Sequence, residues 1–204
     1  ERIDGSNNVG RQVAGAVTDS LRPGRTSDAI IDGLDLTGRI GHFTFEIVNF
    51  LLGTGDDEFT IEVGEAVKEE TNIYGGPGND HVRFFDGQFI TGELDGEAGL
   101  DDTVDYALWT GSITVNMPIG RATGIFRGFD GGLSNVENAL GGLSKDFLIG
   151  DGADNELDGN EQDDFMQGGF GNDTLEGGSG NDFMEGGTGD DWYILVPGSD
   201  DRVV

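Results

Sequence analysis

Aspartate residues recur at a fixed spacing in the C-terminal third of the 204-residue chain. From Gly141 the sequence divides into six consecutive nine-residue blocks, and five of them carry an aspartate at the sixth position: Asp146, Asp164, Asp173, Asp182 and Asp191. The second block has Asn155 at that position. Carboxylates are ligands for hard cations, and Ca²⁺ accepts about six to eight oxygens, including backbone carbonyls, in a flexible geometry. The spacing therefore predicts a series of calcium sites.

The composition excludes several classes of function. The chain has 40 acidic residues against 11 basic ones, and its formal net charge is −29. That charge argues against binding to nucleic acid, whose phosphates need lysine and arginine, and against an anionic membrane surface. Zinc prefers nitrogen or sulfur ligands, which are lacking in the blocks, and magnesium holds its water in a stricter octahedron. No apolar run approaches the roughly 20 residues of a membrane span.

The same blocks indicate which elements position the carboxylates. Every block begins with glycine, and further glycines at positions two and four suit a tight loop. The last three residues alternate around one apolar side chain at position eight, which favours a very short strand; the position-eight residues are Leu148, Leu157, Met166, Leu175, Met184 and Tyr193. Stacked blocks would form two narrow parallel sheets around these side chains, with two blocks per coil. Loops 18 residues apart would then lie over each other, and their aspartates would repel unless a cation lay between them.

The blocks resemble the nonapeptide of the repeats-in-toxin (RTX) family, G-G-x-G-x-D-x-U-x, in which U is a large apolar residue. Residues 168–176, 177–185 and 186–194 match this pattern at every defined position. The resemblance implies an all-β fold, a parallel β-roll or β-helix solenoid loaded with calcium. It also implies a large bacterial parent protein that is exported by a one-step (type I) secretion machine and is therefore secreted, extracellular or attached to the cell surface.

The resemblance further implies the ligands of each ion. They are the carbonyls of positions two and four with the aspartate of one loop, and the carbonyls of positions one and three with the aspartate of the next loop on the same side. Carried over to this sequence, the pattern predicts three sites, formed by Gly169, Gly171 and Asp173 with Gly186, Thr188 and Asp191; by Asn160, Gln162 and Asp164 with Gly177, Ser179 and Asp182; and by Gly142, Ser144 and Asp146 with Gly159, Glu161 and Asp164. Because Asn155 is neutral and Gln162 replaces a loop glycine, we expect sites that use them to be weaker or distorted.

Isolated loops of the same kind lie upstream of the regular blocks. Residues 75–80 form a complete loop motif, and residues 53–57 and 96–101 form partial ones. Their candidate ligands are Asp57, Gly76, Gly78, Asp80 and Asp101. The three aspartates are 23 and 21 residues apart, which suits coils slightly longer than those of the roll. Both a calcium-bound stack and a metal-free stack are consistent with this pattern.

A weaker duplication extends over the whole chain. Two pairs of segments align with each other: 28–40 with 101–113, and 47–59 with 135–148 after a one-residue slip. We therefore expect two degenerate modules, residues 1–95 and 96–204, the second ending in the six-block roll of residues 141–194 and a C-terminal cap. Because the sequence starts without methionine and stops in an apolar stretch, we also expect a segment of a longer polypeptide, with neighbouring domains of that polypeptide as partners.

Enzymatic signatures are absent from the sequence, which has no H-E-x-x-H helix, no G-x-S-x-G elbow and no P-loop lysine. We therefore expect a structural module, not an enzyme, that folds on binding extracellular calcium. Two alternatives stay open. One is the calcium-binding tail of a secreted hydrolase or toxin, and the other is an adhesin module that binds cell-surface polysaccharide through aromatic residues near Phe84, Phe85, Phe89 or Trp109.

Overall fold

The computed structural model describes residues 2–4, 29–32, 47–61, 70–126 and 132–204. In these ranges the chain forms short strands: β1 (Arg2–Asp4), β2 (Ala29–Asp32), β3 (Ile47–Leu51), β4 (Glu58–Ile61), β5 (Glu70–Pro77), β6 (His81–Phe84), β7 (Leu94–Ala98), β8 (Thr103–Asp105), β9 (Thr114–Asn116), β10 (Arg121–Ala122), β11 (Leu133–Ser134), β12 (Asn138–Leu140), β13 (Phe147–Ile149), β14 (Glu156–Asp158), β15 (Phe165–Phe170), β16 (Thr174–Glu176), β17 (Phe183–Thr188), β18 (Trp192–Ile194) and β19 (Arg202–Val203). Helical structure in the same ranges is limited to a 3-10 turn at Met117–Ile119, and no helix there is long and apolar enough to cross a membrane.

The described strands form three sheets that wind into a solenoid. Sheet 1 has the order β1-β2-β3-β5-β7-β11, sheet 2 has the order β4-β6-β8-β12-β14-β16-β18, and sheet 3 has the order β10-β9-β13-β15-β17-β19. Among these strands every pair is parallel except β9 with β10. From β3 onward, apart from the irregular stretch β9–β11, the chain alternates between sheet 2 and one of the other two sheets, so that each circuit adds one coil. The predicted all-β parallel solenoid is confirmed.

The register of the C-terminal coils is 18 residues. Leu148 pairs with Met166 and Met166 with Met184 in sheet 3, while Leu157 pairs with Leu175 in sheet 2. All five side chains have no exposed surface. Burial of an aliphatic side chain of this size contributes about 1.5–3 kcal/mol relative to exposure, so this column is the main apolar stabilisation of the roll. The predicted two blocks per coil and the inward direction of position eight are both confirmed.

The coil between β8 and β12 is irregular. There β9 starts sheet 3 and turns back on β10, whereas β11 ends sheet 1 by pairing Leu133 with Leu94. The carbonyl of Gly120 accepts hydrogen bonds from the N–H groups of Gly132, at 2.7 Å, and Leu133, at 2.9 Å, and so joins the edges of the two sheets. Tyr106 is fully buried near this coil, where its hydroxyl donates to the Thr123 carbonyl at 2.5 Å, and one apolar core continues from sheet 1 to sheet 3.

At the C-terminal end, β19 pairs with β17 and adds a last half coil, with Arg202 opposite Phe183. The hydroxyl of Tyr193 accepts the N–H of Gly186 at 2.8 Å, so this ring closes the end of the core, whereas the ring of Trp192 is 75% exposed. The division into modules 1–95 and 96–204 stays a prediction, because much of the first module lies outside the described residues.

Candidate metal centre

The Gly/Asp loops stack into two columns, one on each side of the solenoid. The first column holds the connections that enter sheet 2, at residues 52–57, 75–80, 96–102, 135–137, 150–155, 168–173 and 186–191. The second column holds the connections from sheet 2 to sheet 3 from β12 onward, at residues 141–146, 159–164, 177–182 and 195–201. The first residues of several loops continue the strand pairing, so the sheets hold neighbouring loops at one strand spacing.

A ladder of side-chain hydrogen bonds runs along the second column. The N–H of Asp146 donates to Asp164 Oδ1 at 2.7 Å, and the N–H of Asp164 donates to Asp182 Oδ1 at 2.8 Å. The last rung joins the N–H of Asp182 to Asp201 Oδ1 at 3.0 Å. Each aspartate therefore ties its own loop to the preceding one with a single oxygen. Asp201, which has no place in the nonapeptide frame, was not predicted from the sequence.

The first column has the same ladder. The N–H of Asn155 donates to Asp173 Oδ1 at 2.9 Å, and the N–H of Asp173 donates to Asp191 Oδ1 at 3.0 Å. At the junction with the irregular coil, the Asn155 side chain donates from Nδ2 to the carbonyl of Glu137 at 2.7 Å. An aspartate cannot make this bond, which explains the single departure from aspartate at position six.

The second carboxylate oxygen of the central aspartates is buried without a hydrogen-bond partner. This is the case for Oδ2 of Asp164, Asp173 and Asp182, whose residues are at most 3% exposed. A buried ionised group that lacks compensation is strongly destabilising. Burial raises the pKa of Asp164 to about 8 and that of Asp173 to about 6, and it also raises the pKa of Asp182 above its usual range. These oxygens therefore require either a proton or a cation.

Backbone oxygens face the same gaps between loops. A Cβ atom added to Gly168 would lie within 3.0 Å of both Asp173 Oδ2 and the Gly186 carbonyl oxygen. One added to Gly171, whose φ is +112°, would lie within 3.0 Å of the Ala153 carbonyl oxygen. Glycine at positions one and four thus lets carbonyl and carboxylate oxygens approach where a side chain would clash. Oxygens of these two kinds are the ligands that calcium prefers, so the residues present fit the ion.

The structure brings together the two loops of each predicted ligand set. Ser179 N–H donates to the Asn160 carbonyl at 2.8 Å, and Glu161 N–H donates to the Gly142 carbonyl at 3.4 Å. In the third set, Gly171 N–H donates to the Thr188 carbonyl at 3.0 Å. The loops of each pair are therefore in contact, while the assignment of individual ligands stays a prediction.

Three of the predicted ligands, Ser144, Asn160 and Gln162, differ from the glycine pattern of the loops. Ser144 Oγ donates to the Thr110 carbonyl at 2.8 Å, outside the stacked loops. Asn160 and Gln162 keep the left-handed backbone of the loop, with φ of +67° and +73°, although they are not glycine. The remaining predicted positions, Gly159, Gly169, Gly177 and Gly186, lie in the stacked loops.

The upstream loops continue the first column. Asp57 N–H donates to Asp80 Oδ1 at 2.9 Å, and Asp80 N–H donates to Asp102 Oδ1 at 2.7 Å. Asp102, not the predicted Asp101, occupies the ladder position, because Leu100 is an inserted residue that points to solvent and is 82% exposed. Asp101 is exposed and accepts a bond from Asn79 Nδ2 at 3.3 Å. A frame allowing one extra residue would have identified Asp102 from the sequence.

No group of three or more acidic or histidine side chains that could hold a metal occurs among the described residues. This agrees with the predicted sites, each of which uses two carboxylates and takes its other oxygens from the main chain. The positions of the main-chain carbonyl oxygens in the stacked loops therefore determine whether an ion can bind.

The aromatic residues considered for polysaccharide binding are mostly packed. Phe84 has no exposed surface and stacks on Tyr106, with ring centroids 5.3 Å apart. Trp109 packs edge-on against the same tyrosine at 5.7 Å, and Phe89 packs against Phe126. Phe84, Tyr106 and Trp109 thus contribute to the core or its margin.

Comparison with known protein families identifies the loops. A sequence model of the RTX calcium-binding nonapeptide repeat matches four overlapping copies, at residues 132–166, 140–175, 158–193 and 167–200. Residues 132–200 are therefore RTX calcium-binding repeats, which form a structural β-roll, and calcium is their ion. No curated protein matches the chain.

Proposed function

We propose that this chain is a calcium-coupled folding module of a secreted or cell-surface protein. The observation that carries the proposal is the set of buried, unpartnered Oδ2 atoms of Asp164, Asp173 and Asp182 in stacked loops of RTX repeats. Calcium, when bound, would supply positive charge and would accept carboxylate and carbonyl oxygens of these loops as its ligands. Because an ion site formed by two loops does not exist in the unfolded chain, its binding energy contributes to the folding energy.

The residues themselves oppose folding when the ion is absent. Asp146, Asp164 and Asp182 form one column, and the charges of Asp146 and Asp182 raise the pKa of Asp164 in addition to the larger effect of burial. Glycine-rich loops also lose much backbone entropy on ordering, about 1–2 kcal/mol per residue. Burial of the position-eight side chains offsets part of this free-energy cost. The part that it does not offset must come from calcium binding, and it therefore determines how much calcium folding requires.

The proposed ligands are the carboxylates of Asp146, Asp164, Asp173, Asp182 and Asp191, with main-chain carbonyls of positions one to four in the same loops. We propose Asp80 and Asp57 as counterparts upstream. A site that uses Gln162 should bind less tightly, because its left-handed backbone is strained for glutamine, and one that uses the neutral Asn155 should bind less tightly because it lacks a carboxylate.

The difference in calcium concentration across the cell boundary determines where the module folds. Extracellular modules bind calcium in the range of about 10⁻⁴–10⁻³ M, far above cytosolic levels, so the repeats would stay open inside the cell and close outside it. The proposed partners are calcium and neighbouring domains of the parent polypeptide. The proposed role of residues 132–200 is to stiffen or cap that polypeptide and not to catalyse a reaction.

Far-UV circular dichroism of the full chain during a calcium titration tests the proposal, with magnesium at equal concentrations as the control. The expected result is a cooperative change from coil to β structure in calcium alone. A β spectrum that persists after chelation, with metal removal confirmed by elemental analysis, would refute calcium-coupled folding.

A further inference from the structure

Two buried carboxylates lie upstream of the matched repeats. Asp80 and Asp102 are 3% and 2% exposed, and Oδ2 of each has no hydrogen-bond partner. Their Oδ1 atoms are already used, because they accept the N–H groups of Asp57 and Asp80 in the ladder of the first column. Both aspartates lie outside residues 132–200, where the RTX repeats are matched.

Both free oxygens face gaps that main-chain oxygens also line. A Cβ atom added to Gly75 would lie within 3.0 Å of Asp80 Oδ2 and of the Gly96 carbonyl oxygen. One added to Gly99 would lie within 3.0 Å of Asp102 Oδ2 and of the Gly78 carbonyl oxygen. The gap between loops 75–80 and 96–102 is therefore lined by oxygens of both loops, which approach the glycines too closely to admit a side chain.

The charges around this gap are negative. Asp56 and Glu97 lie near Asp80, and Asp101 and Glu137 lie near Asp102, so both carboxylates have acidic neighbours. The described basic side chains that follow closely after Asp80 in the sequence, His81 and Arg83, both contact the carboxylate of Asp105, at 2.7 and 2.6 Å. Among the described residues, the charges that act on Asp80 and Asp102 are all those of acidic side chains.

We propose a further calcium site between loops 75–80 and 96–102, with Asp80 and Asp102 as its carboxylate ligands and Gly78 and Gly96 as carbonyl ligands. The site rests on the proposed function, since it binds the same ion. It is separated from the repeat sites of the first column by residues 135–155, where the Asn155 amide, and not a carboxylate, contacts the preceding loop. The site therefore adds one ion to those bound by the roll.

Hydrogen exchange with mass spectrometry on the full chain gives a separate readout for the two regions. Calcium should slow exchange at least tenfold in peptides covering residues 75–102 and in peptides covering residues 156–191, and magnesium should not. Slowing in the repeat peptides alone would overturn the upstream site and leave the proposed function intact. Slowing in neither region would overturn both.

Matched variants separate a site at residues 75–102 from an indirect effect of the roll. Asp102→Asn keeps the Oδ1 acceptor and the side-chain shape, and should lower the bound calcium measured by equilibrium dialysis by one ion and abolish the slowing at residues 75–102. Asp101→Asn alters the adjacent exposed carboxylate and should leave both values as in the unsubstituted chain. Equal calcium counts for the two variants would overturn the proposal, whereas Asp173→Asn should lower the count without removing the slowing at residues 75–102.

Discussion

Replacing Asp164 with asparagine removes one charge and leaves the side-chain shape almost unchanged. Asp164 Oδ1 accepts the N–H of Asp146 at 2.7 Å, and an amide oxygen at the same place can accept that bond. The substitution alters only Oδ2, which is buried, lacks a partner and lies near other carboxylates. We therefore expect effects of opposite sign: Asp164→Asn stabilises the folded chain without calcium and weakens its response to calcium.

The magnitude follows from the pKa of the native group. Burial, aided by neighbouring carboxylates, raises the pKa of Asp164 from 3.8 to about 8, so at pH 7 the metal-free folded chain holds a proton that the unfolded chain has released. At about 1.4 kcal/mol for each pH unit between the unfolded pKa and pH 7, this costs up to about 4 kcal/mol. Burying an incompletely bonded amide returns about 1–3 kcal/mol of that cost. The net gain expected for the metal-free fold is about 1–3 kcal/mol.

Folding forced by trimethylamine N-oxide measures this gain, because the osmolyte favours compact states even when the chain is unfolded in chelator. In EGTA at pH 7, Asp164→Asn should reach half folding, followed by circular dichroism, at a lower osmolyte concentration than the native chain. Its calcium midpoint without osmolyte should rise at least tenfold. Asp154→Asn is the matched control, since Asp154 is exposed and its Oδ1 accepts the N–H of Asn172 at 2.7 Å. A need for more osmolyte in Asp164→Asn, or an unchanged calcium midpoint, would refute the reasoning.

Three further predictions concern the same loops. In EGTA the chain should gain β structure as the pH falls from 8 to 5. Burial raises the pKa of Asp164 to about 8 and that of Asp173 to about 6, so the folded state binds protons that the unfolded state releases. Loss of the β signal in circular dichroism over this interval would contradict the raised pKa values. Asp173→Ala should raise the calcium midpoint more than Asp191→Ala. Loop 168–173 lies between loops 150–155 and 186–191, so its carboxylate can serve ions on both sides, whereas loop 186–191 is the last of its column. Equal midpoints would contradict the stacking. Gln162→Gly should stabilise the calcium-loaded chain against urea by about 1 kcal/mol, since a left-handed φ is costly for glutamine. Asn160→Gly should raise the free energy of unfolding by less. A lower free energy of unfolding in Gln162→Gly would show that its side chain contributes contacts that outweigh the backbone strain.

The regular part of the fold could be predicted because its information is local and repeated. Successive blocks place their position-eight residues in sheet 2 and sheet 3 in turn, so Leu157 pairs with Leu175 one coil later. The nine-residue period therefore fixes which residues pair. The same period places Asp146 over Asp164 and Asp164 over Asp182. Once the frame starting at Gly141 is recognised, the solenoid, its register and the stacking of the loops follow.

The irregular part could not be predicted, because its determinants are tertiary. Nothing local indicates that β9 begins sheet 3 while β11 still pairs with sheet 1, an arrangement in which the Gly120 carbonyl joins the two sheet edges through bonds from Gly132 and Leu133. Asp102 replaces Asp101 in the ladder because the inserted Leu100 points to solvent, and choosing the frame with one extra residue over the regular frame requires this tertiary information. The role of Asn155 likewise depends on a partner from another coil, the carbonyl of Glu137.

A crystal structure of the full chain grown in calcium, with anomalous difference maps, tests the central claim most directly. Anomalous peaks are expected in the gaps between stacked loops, within coordination distance of Oδ2 of Asp164, Asp173 and Asp182. Well-ordered loops in which these oxygens instead bind water, with no anomalous peak at saturating calcium, would contradict the account.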